Sequence, residues 1–201
     1  MTKFETLKSL FTWSWTTVFV GWRGAGVYSP WPDDWECFPP LITEAEILAL
    51  CEECVVGEEL RLEVVSLIEE LSADTRSRTS ILESLAPLCG SLEVDKFNIE
   101  MRKWRCACVK QQLDKSGEDM NAVAKIRAIE ELFVEFGALE GTPKEMQENT
   151  WGMEPSVHYE ESRCEARVIE CRKWLDTEIV SILRCADSTK VRHCDDLTKD
   201  R

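Results

Sequence analysis

The sequence predicts an all-α protein, a single-domain array of about six to eight amphipathic helices arranged HEAT-like or as irregular stacked hairpins. Apolar residues recur at i, i+3, i+4 and i+7 along most of the chain, and glycine or proline falls between those stretches. The one stretch that alternates like a strand, near the N-terminus, has no convincing strand partner. At 201 residues and 44% hydrophobic, the chain is long and apolar enough to bury one core, which excludes global disorder. Residues 1–186 read as that domain, with the aromatic-rich segment 9–40 included, and 187–201 as a polar, frayed tail.

Five of the eight tryptophans, Trp13, Trp15, Trp22, Trp31 and Trp35, fall within the first 40 residues. There Phe11, Trp13, Trp15, Thr17 and Phe19 fit a strand, while Phe11, Trp15, Val18, Phe19 and Trp22 fit a helix face equally well. The helical neighbourhood favours helix, followed by a long loop through Gly24, Gly26, Pro30, Pro32, Pro39 and Pro40. Thr43-Glu-Ala-Glu46 is a capping box that opens a helix over 43–56, with Ile47, Leu48, Cys51, Cys54 and Val55 on one stripe. A second helix starts at Glu58 and carries Leu60, Val64, Leu67, Ile68 and Leu71. A third, from Thr75, carries Ile81, Leu82 and Leu85 until Pro87 and Gly90 break it.

From Asp95, Phe97, Met101, Trp104 and Cys108 define a longer helix in which Arg102, Lys103, Arg105 and Lys110 form the one basic segment, ending near Ser116-Gly117. The next runs from Glu118 with Ala122, Ile126, Ile129, Phe133 and Phe136 on its apolar face, and Gly137 is placed to close it. Thr142-Pro-Lys-Glu145 has the N-cap, N1 proline and N3 glutamate of a short helical turn, and after a loop at 151–155, Val168, Cys171, Leu175, Ile179, Ile182 and Ala186 make a last long helix.

The net charge of −14 is concentrated. Residues 41–74 hold ten acids against the single base Arg61, and residues 116–161 hold eleven acids against three bases. Such a surface repels phosphate backbones and anionic membranes, so no nucleic acid and no membrane is expected as partner; a basic protein is. The N-terminus has neither the basic n-region nor the apolar h-region of a secretory signal, which makes the cytoplasm the expected location.

No phosphate loop, dinucleotide fingerprint, nucleophile elbow or H-E-x-x-H occurs. Gly21-Trp-Arg-Gly-Ala-Gly26 has the wrong glycine spacing and is followed by a proline-rich loop. Cys51-x-x-Cys54 would need a second ligand pair, for which Cys106 with Cys108 or His193 with Cys194 are poor matches. Cys51, Cys54, Cys108, Cys164 and Cys171 instead fall on or beside apolar faces, where cysteine packs as a small hydrophobe. Neither His158 nor His193 is tied to a nucleophile by any pattern, and adjacent glutamate doublets point about 100° apart on a helix rather than converging. No catalytic residue, metal or cofactor is therefore expected.

Phe11-Thr-Trp-Ser-Trp-Thr-Thr-Val-Phe-Val-Gly-Trp22, Leu41-Ile-Thr-Glu-Ala-Glu-Ile47, Lys103-Trp-Arg-Cys-Ala-Cys108 and Ile129-Glu-Glu-Leu-Phe-Val-Glu-Phe-Gly137 together resemble a family of small bacterial helical proteins classed as a domain of unknown function. The resemblance spans residues 9–155, and the wider group includes candidate immunity proteins of polymorphic toxin systems. It implies a non-enzymatic protein that neutralises a cognate toxin by stoichiometric occlusion. The residues placed at that interface are Glu52, Glu53, Glu58 and Glu59 as steering charges and Trp31 and Trp35 as anchors. A structural or adaptor helical protein, and an unrecognised metal-dependent enzyme, remain the alternatives.

Overall fold

The computed structural model describes residues 1–26, 38–57, 61–116, 121–137, 141–143 and 155–196, with backbone alone at 155–156 and 186–196. All regular structure among them is helical: α1 (Lys3–Leu10), α2 (Trp15–Arg23), α3 (Glu44–Val56), α4 (Leu62–Ser72), α5 (Arg78–Cys89), α6 (Val94–Asp114), α7 (Ala122–Phe136), α8 (Pro155–His158) and α9 (Glu161–Asp196).

The arrangement is the irregular one. Helices α3, α4 and α5 pair in chain order, while α6 is the hub against which α1, α2, α7 and α9 all pack. A hub helix must be apolar around most of its girth, and the buried stretch of α6 is continuous from Glu100 to Val109. Phe97, Met101, Trp104 and Cys108 are all at most 1% exposed, as their spacing anticipates. The three basic residues of that stretch, Arg102, Lys103 and Arg105, are buried too, which the sequence does not announce.

Helix α1 was not anticipated. Its signal is a capping box in which Thr2 and Glu5 satisfy each other's backbone N–H groups. The ambiguous aromatic stretch splits: Phe11 is the extended residue that ends α1, Ser14 caps α2, and α2 is buried from Thr16 to Arg23, with Trp15 half-buried. Gly21 lies inside α2, where an added Cβ would sit 2.3 Å from Cζ2 of the fully buried Trp104. The glycine cluster that superficially suggests a phosphate loop thus begins as a helix-crossing point. It continues through Gly24, whose φ of +87° and close approach to the Phe38 and Pro39 carbonyls exclude a side chain. The Arg78 guanidinium donates to the carbonyls of Trp22, Arg23 and Phe38, tying the end of α2 to the point where the chain returns.

Other boundaries shift for local reasons. Ser77 caps α5, so that helix starts three residues after Thr75. Pro87 does not break it: the proline sits in the last turn, where its missing N–H forfeits one bond, and the helix closes at Gly90 with φ +66°. Asn121 caps α7 by accepting from the Ala124 N–H, and Gly137 ends it at φ +67°. The last helix begins at Glu161 and continues to Asp196, past the predicted end at Ala186. Its buried residues include Cys164, Cys171, Leu175 and Ile182. The beginning predicted at Glu58 for the second helix, and most of the Thr142–Glu145 turn, lie outside the described residues.

Candidate functional site

Three places in the fold bring charged or reactive side chains together. At the end of the α3–α4 pair, Ile47, Leu50 and Cys51 face the core and leave Glu52 and Glu53 exposed on the other side. Neither glutamate forms an ion pair with a described residue, and α3 has no base in its last turn to oppose the negative end of its dipole. Val55, assigned by its spacing to the buried stripe, is instead 43% exposed, and Val56 is 83% exposed. Leu62 at the start of α4 is also 83% exposed, and residues 57–61 join the two helices, so these apolar side chains share one corner with Glu52, Glu53 and Glu63. Glu58, Glu59, Trp31 and Trp35, the other predicted interface residues, lie outside the described residues. The apolar half of the corner escaped the sequence reading, although Leu62 is two residues off the Leu60–Val64–Leu67 stripe and that offset is its signal.

The second place is where α7, α8 and α9 meet. Glu130 accepts hydrogen bonds from the Tyr159 hydroxyl at 2.9 Å, from His158 Nε2 at 2.8 Å and from the Arg167 guanidinium. His158 Nε2 also lies 3.2 Å from Arg167 Nη1, and its Nδ1 is buried with no partner among the described residues. Arg127 stacks over the Tyr159 ring at 4.4 Å. Burial raises the Glu130 carboxyl, but the three donors outweigh it and hold the group below its ordinary value. Such a carboxylate is a weak base with its lone pairs already engaged, so it acts as a clamp joining α7 to α9.

Because its pKa is depressed, Glu130 contributes stability that is present above its ordinary value near 4.5 and is lost as pH falls through the lowered one. Glu130→Gln is expected to cost about 1–3 kcal/mol at neutral pH. Urea unfolding at neutral pH and in acid checks the sign: the deficit relative to the unmodified protein should shrink in acid.

The third place is buried. Arg102 donates to Glu178 through Nε at 2.8 Å and Nη2 at 2.9 Å, and Arg105 Nη2 reaches the same carboxylate at 2.8 Å. Arg105 also donates to Thr142 Oγ1 and lies against the Phe133 and Trp174 rings, while Trp174 Nε1 donates to the Gly141 carbonyl. Desolvation lowers the Arg105 pKa and Glu178 opposes that shift. Lys103 pairs with Glu100, which also accepts from Thr17. Arg102, Lys103 and Arg105 therefore act as internal ties to α2 and α9, whereas Lys110, the remaining base of the segment, is half-buried and pairs with Asp114 on α6 itself.

The cysteines pack as the helix spacing anticipates. Cys51, Cys108, Cys164 and Cys171 are buried and Cys54 is half-buried. Burial pushes the Cys51 thiol up to about 11 and those of Cys89, Cys106 and Cys108 to about 12, so these groups stay protonated at neutral pH. Among the described residues no helix is long and apolar enough to cross a membrane.

Residues 4–179 match the family described as "uncharacterized protein conserved in bacteria (DUF2247)". The chain belongs to that family. The match takes in α1 and most of α9, extending in both directions beyond residues 9–155, over which the sequence resembles a bacterial family of this kind. Neither the curated proteins nor the solved structures contain a match.

Proposed function

We propose that this family member is a non-enzymatic binding protein that captures a basic protein partner at the exposed α3–α4 corner, as a cytoplasmic immunity protein captures its toxin. The observation that carries this reading is the position of Glu52 and Glu53: two acids with no ion pair to a described residue, beside the negative end of a helix dipole and next to the exposed Val56 and Leu62. Acid at a helix C-terminus costs about 0.3–1 kcal/mol per charge, so the placement works against stability. Exposed apolar side chains beside it likewise gain nothing for the isolated fold. Both features suit a surface that steers a cationic partner and then anchors it, since charge chiefly raises the association rate while desolvated apolar contacts slow dissociation.

The reading is tested with the C-terminal domain encoded by a large reading frame adjacent to the gene, expressed with and without this protein. Rescue of growth and a stoichiometric complex are expected. The double reversal Glu52→Lys with Glu53→Lys should slow association about tenfold at low salt, with the difference fading as salt rises. The same variant should unfold at a slightly higher temperature, because two unfavourable dipole interactions are reversed. An association rate unchanged at low salt would overturn the assignment of this corner.

A further inference from the structure

The outer face of α7 carries a second feature that the α3–α4 reading does not use. Ala124, Arg127, Ala128, Glu131, Val134 and Glu135 fall at i, i+3, i+4, i+7, i+10 and i+11, so they form a single stripe on the helix. Ala124 and Ala128 are small and leave a depression, and a cleft of about 450 Å³ lies where Val134, Glu131 and Glu135 meet Tyr159. Val134, near the C-terminal end of that stretch, is 80% exposed. The only base on the stripe, Arg127, is stacked on Tyr159, and neither Glu131 nor Glu135 forms an ion pair with a described residue. Two like charges at i and i+4 repel each other on an isolated helix, an arrangement that opposite charges from outside would relieve.

We propose that this face docks a basic amphipathic helix of a partner protein. The depression over Ala124 and Ala128 lets a second helix approach closely, as ridge-in-groove packing requires. An apolar residue of the incoming helix would then cover Val134, with lysine or arginine one turn away facing Glu131 and Glu135. An anionic helix meets repulsion from the same two carboxylates, and a purely apolar one leaves them desolvated without partners, so charge complementarity selects the basic amphipathic occupant. A single-helix contact is small, and its affinity belongs to the weak, salt-sensitive class.

The probe is a short fluorescent leucine–lysine peptide patterned as an amphipathic helix, compared by anisotropy with an isomer of identical composition whose order destroys the apolar face. The patterned peptide is expected to bind about tenfold more tightly than the isomer, a difference of about 1.4 kcal/mol. Val134→Asp and the pair Glu131→Lys with Glu135→Lys should each remove about that factor, whereas Glu69→Lys with Glu83→Lys, the same charge change on exposed sites of α4 and α5, should leave the preference intact. Val134 and Glu131 are exposed, so circular dichroism of these variants should be unchanged. Equal binding of the two peptides overturns the proposal, as does full binding by the α7 variants. Self-association of the unmodified chain that Val134→Asp abolishes also overturns it, because a second copy would then be the occupant.

Discussion

Glu178→Gln is expected to destabilise the protein by about 3–5 kcal/mol, because it strips the shared counter-charge from two buried guanidinium groups. Arg105 is fully buried, Arg102 is 7% exposed and Glu178 is 4% exposed, so water cannot replace the lost carboxylate. For a chain of this size each kcal/mol moves the melting temperature by roughly 2–4 °C, giving a fall of roughly 6–20 °C. The loss should be nearly independent of salt, since buried pairs are poorly screened. That contrasts with the salt-sensitive behaviour expected at Glu52 and Glu53. Glu178→Asp keeps the charge but shortens its reach and should fall between the two. A melting temperature within about 2 °C of the unmodified protein for Glu178→Gln would show that α6 and α9 are not joined through this residue.

The second large effect lies where α2 crosses α6. Trp104 is completely buried, donates through Nε1 to the Thr17 carbonyl at 2.8 Å and stacks on Phe4 at 5.9 Å. Trp104→Ala is expected to cost about 3–5 kcal/mol through the cavity it leaves. Gly21→Ala should destabilise by about 1–3 kcal/mol, since the new methyl group would overlap the indole and neither helix can move away without disturbing the hub. In the Trp104→Ala background the overlap is gone and only the higher helix propensity of alanine remains, so Gly21→Ala should there stabilise by up to about 1 kcal/mol. Denaturant midpoints of the four proteins in this cycle give the sign directly. Additive effects would mean that the two residues are not in contact.

What could be read along the chain was local. The capping box at Thr43, the apolar faces of α6 and α7 and the closing glycine after Phe136 all depend on residues within a turn or two of each other. Their physics is the same in any fold. The misassignments have equally local origins. The Thr2–Glu5 box is a local signal for α1, and Pro87, a helix breaker by residue type, is accommodated because a proline in the final turn costs little. Val55 continues the apolar period of α3 yet is exposed in the fold.

The candidate sites were legible only in part. Glu52 and Glu53 could be singled out from the charge map, but their exposed apolar companions depend on how far α3 and α4 project from the core. The clamp of Glu130, His158, Tyr159 and Arg167 was not legible, because no spacing pattern links α7 to the start of α9.

The sequence alone determined that this is a helical protein, where most of its helices run and which faces they bury, because periodicity and caps are properties of a few consecutive residues. The tertiary structure alone decided that Arg102, Lys103 and Arg105 of α6 are internal. Arg102 and Glu178 are 76 positions apart, and a charge can be buried only when a partner arrives with it. That arrival depends on the packing of α9 against α6, which no local pattern encodes.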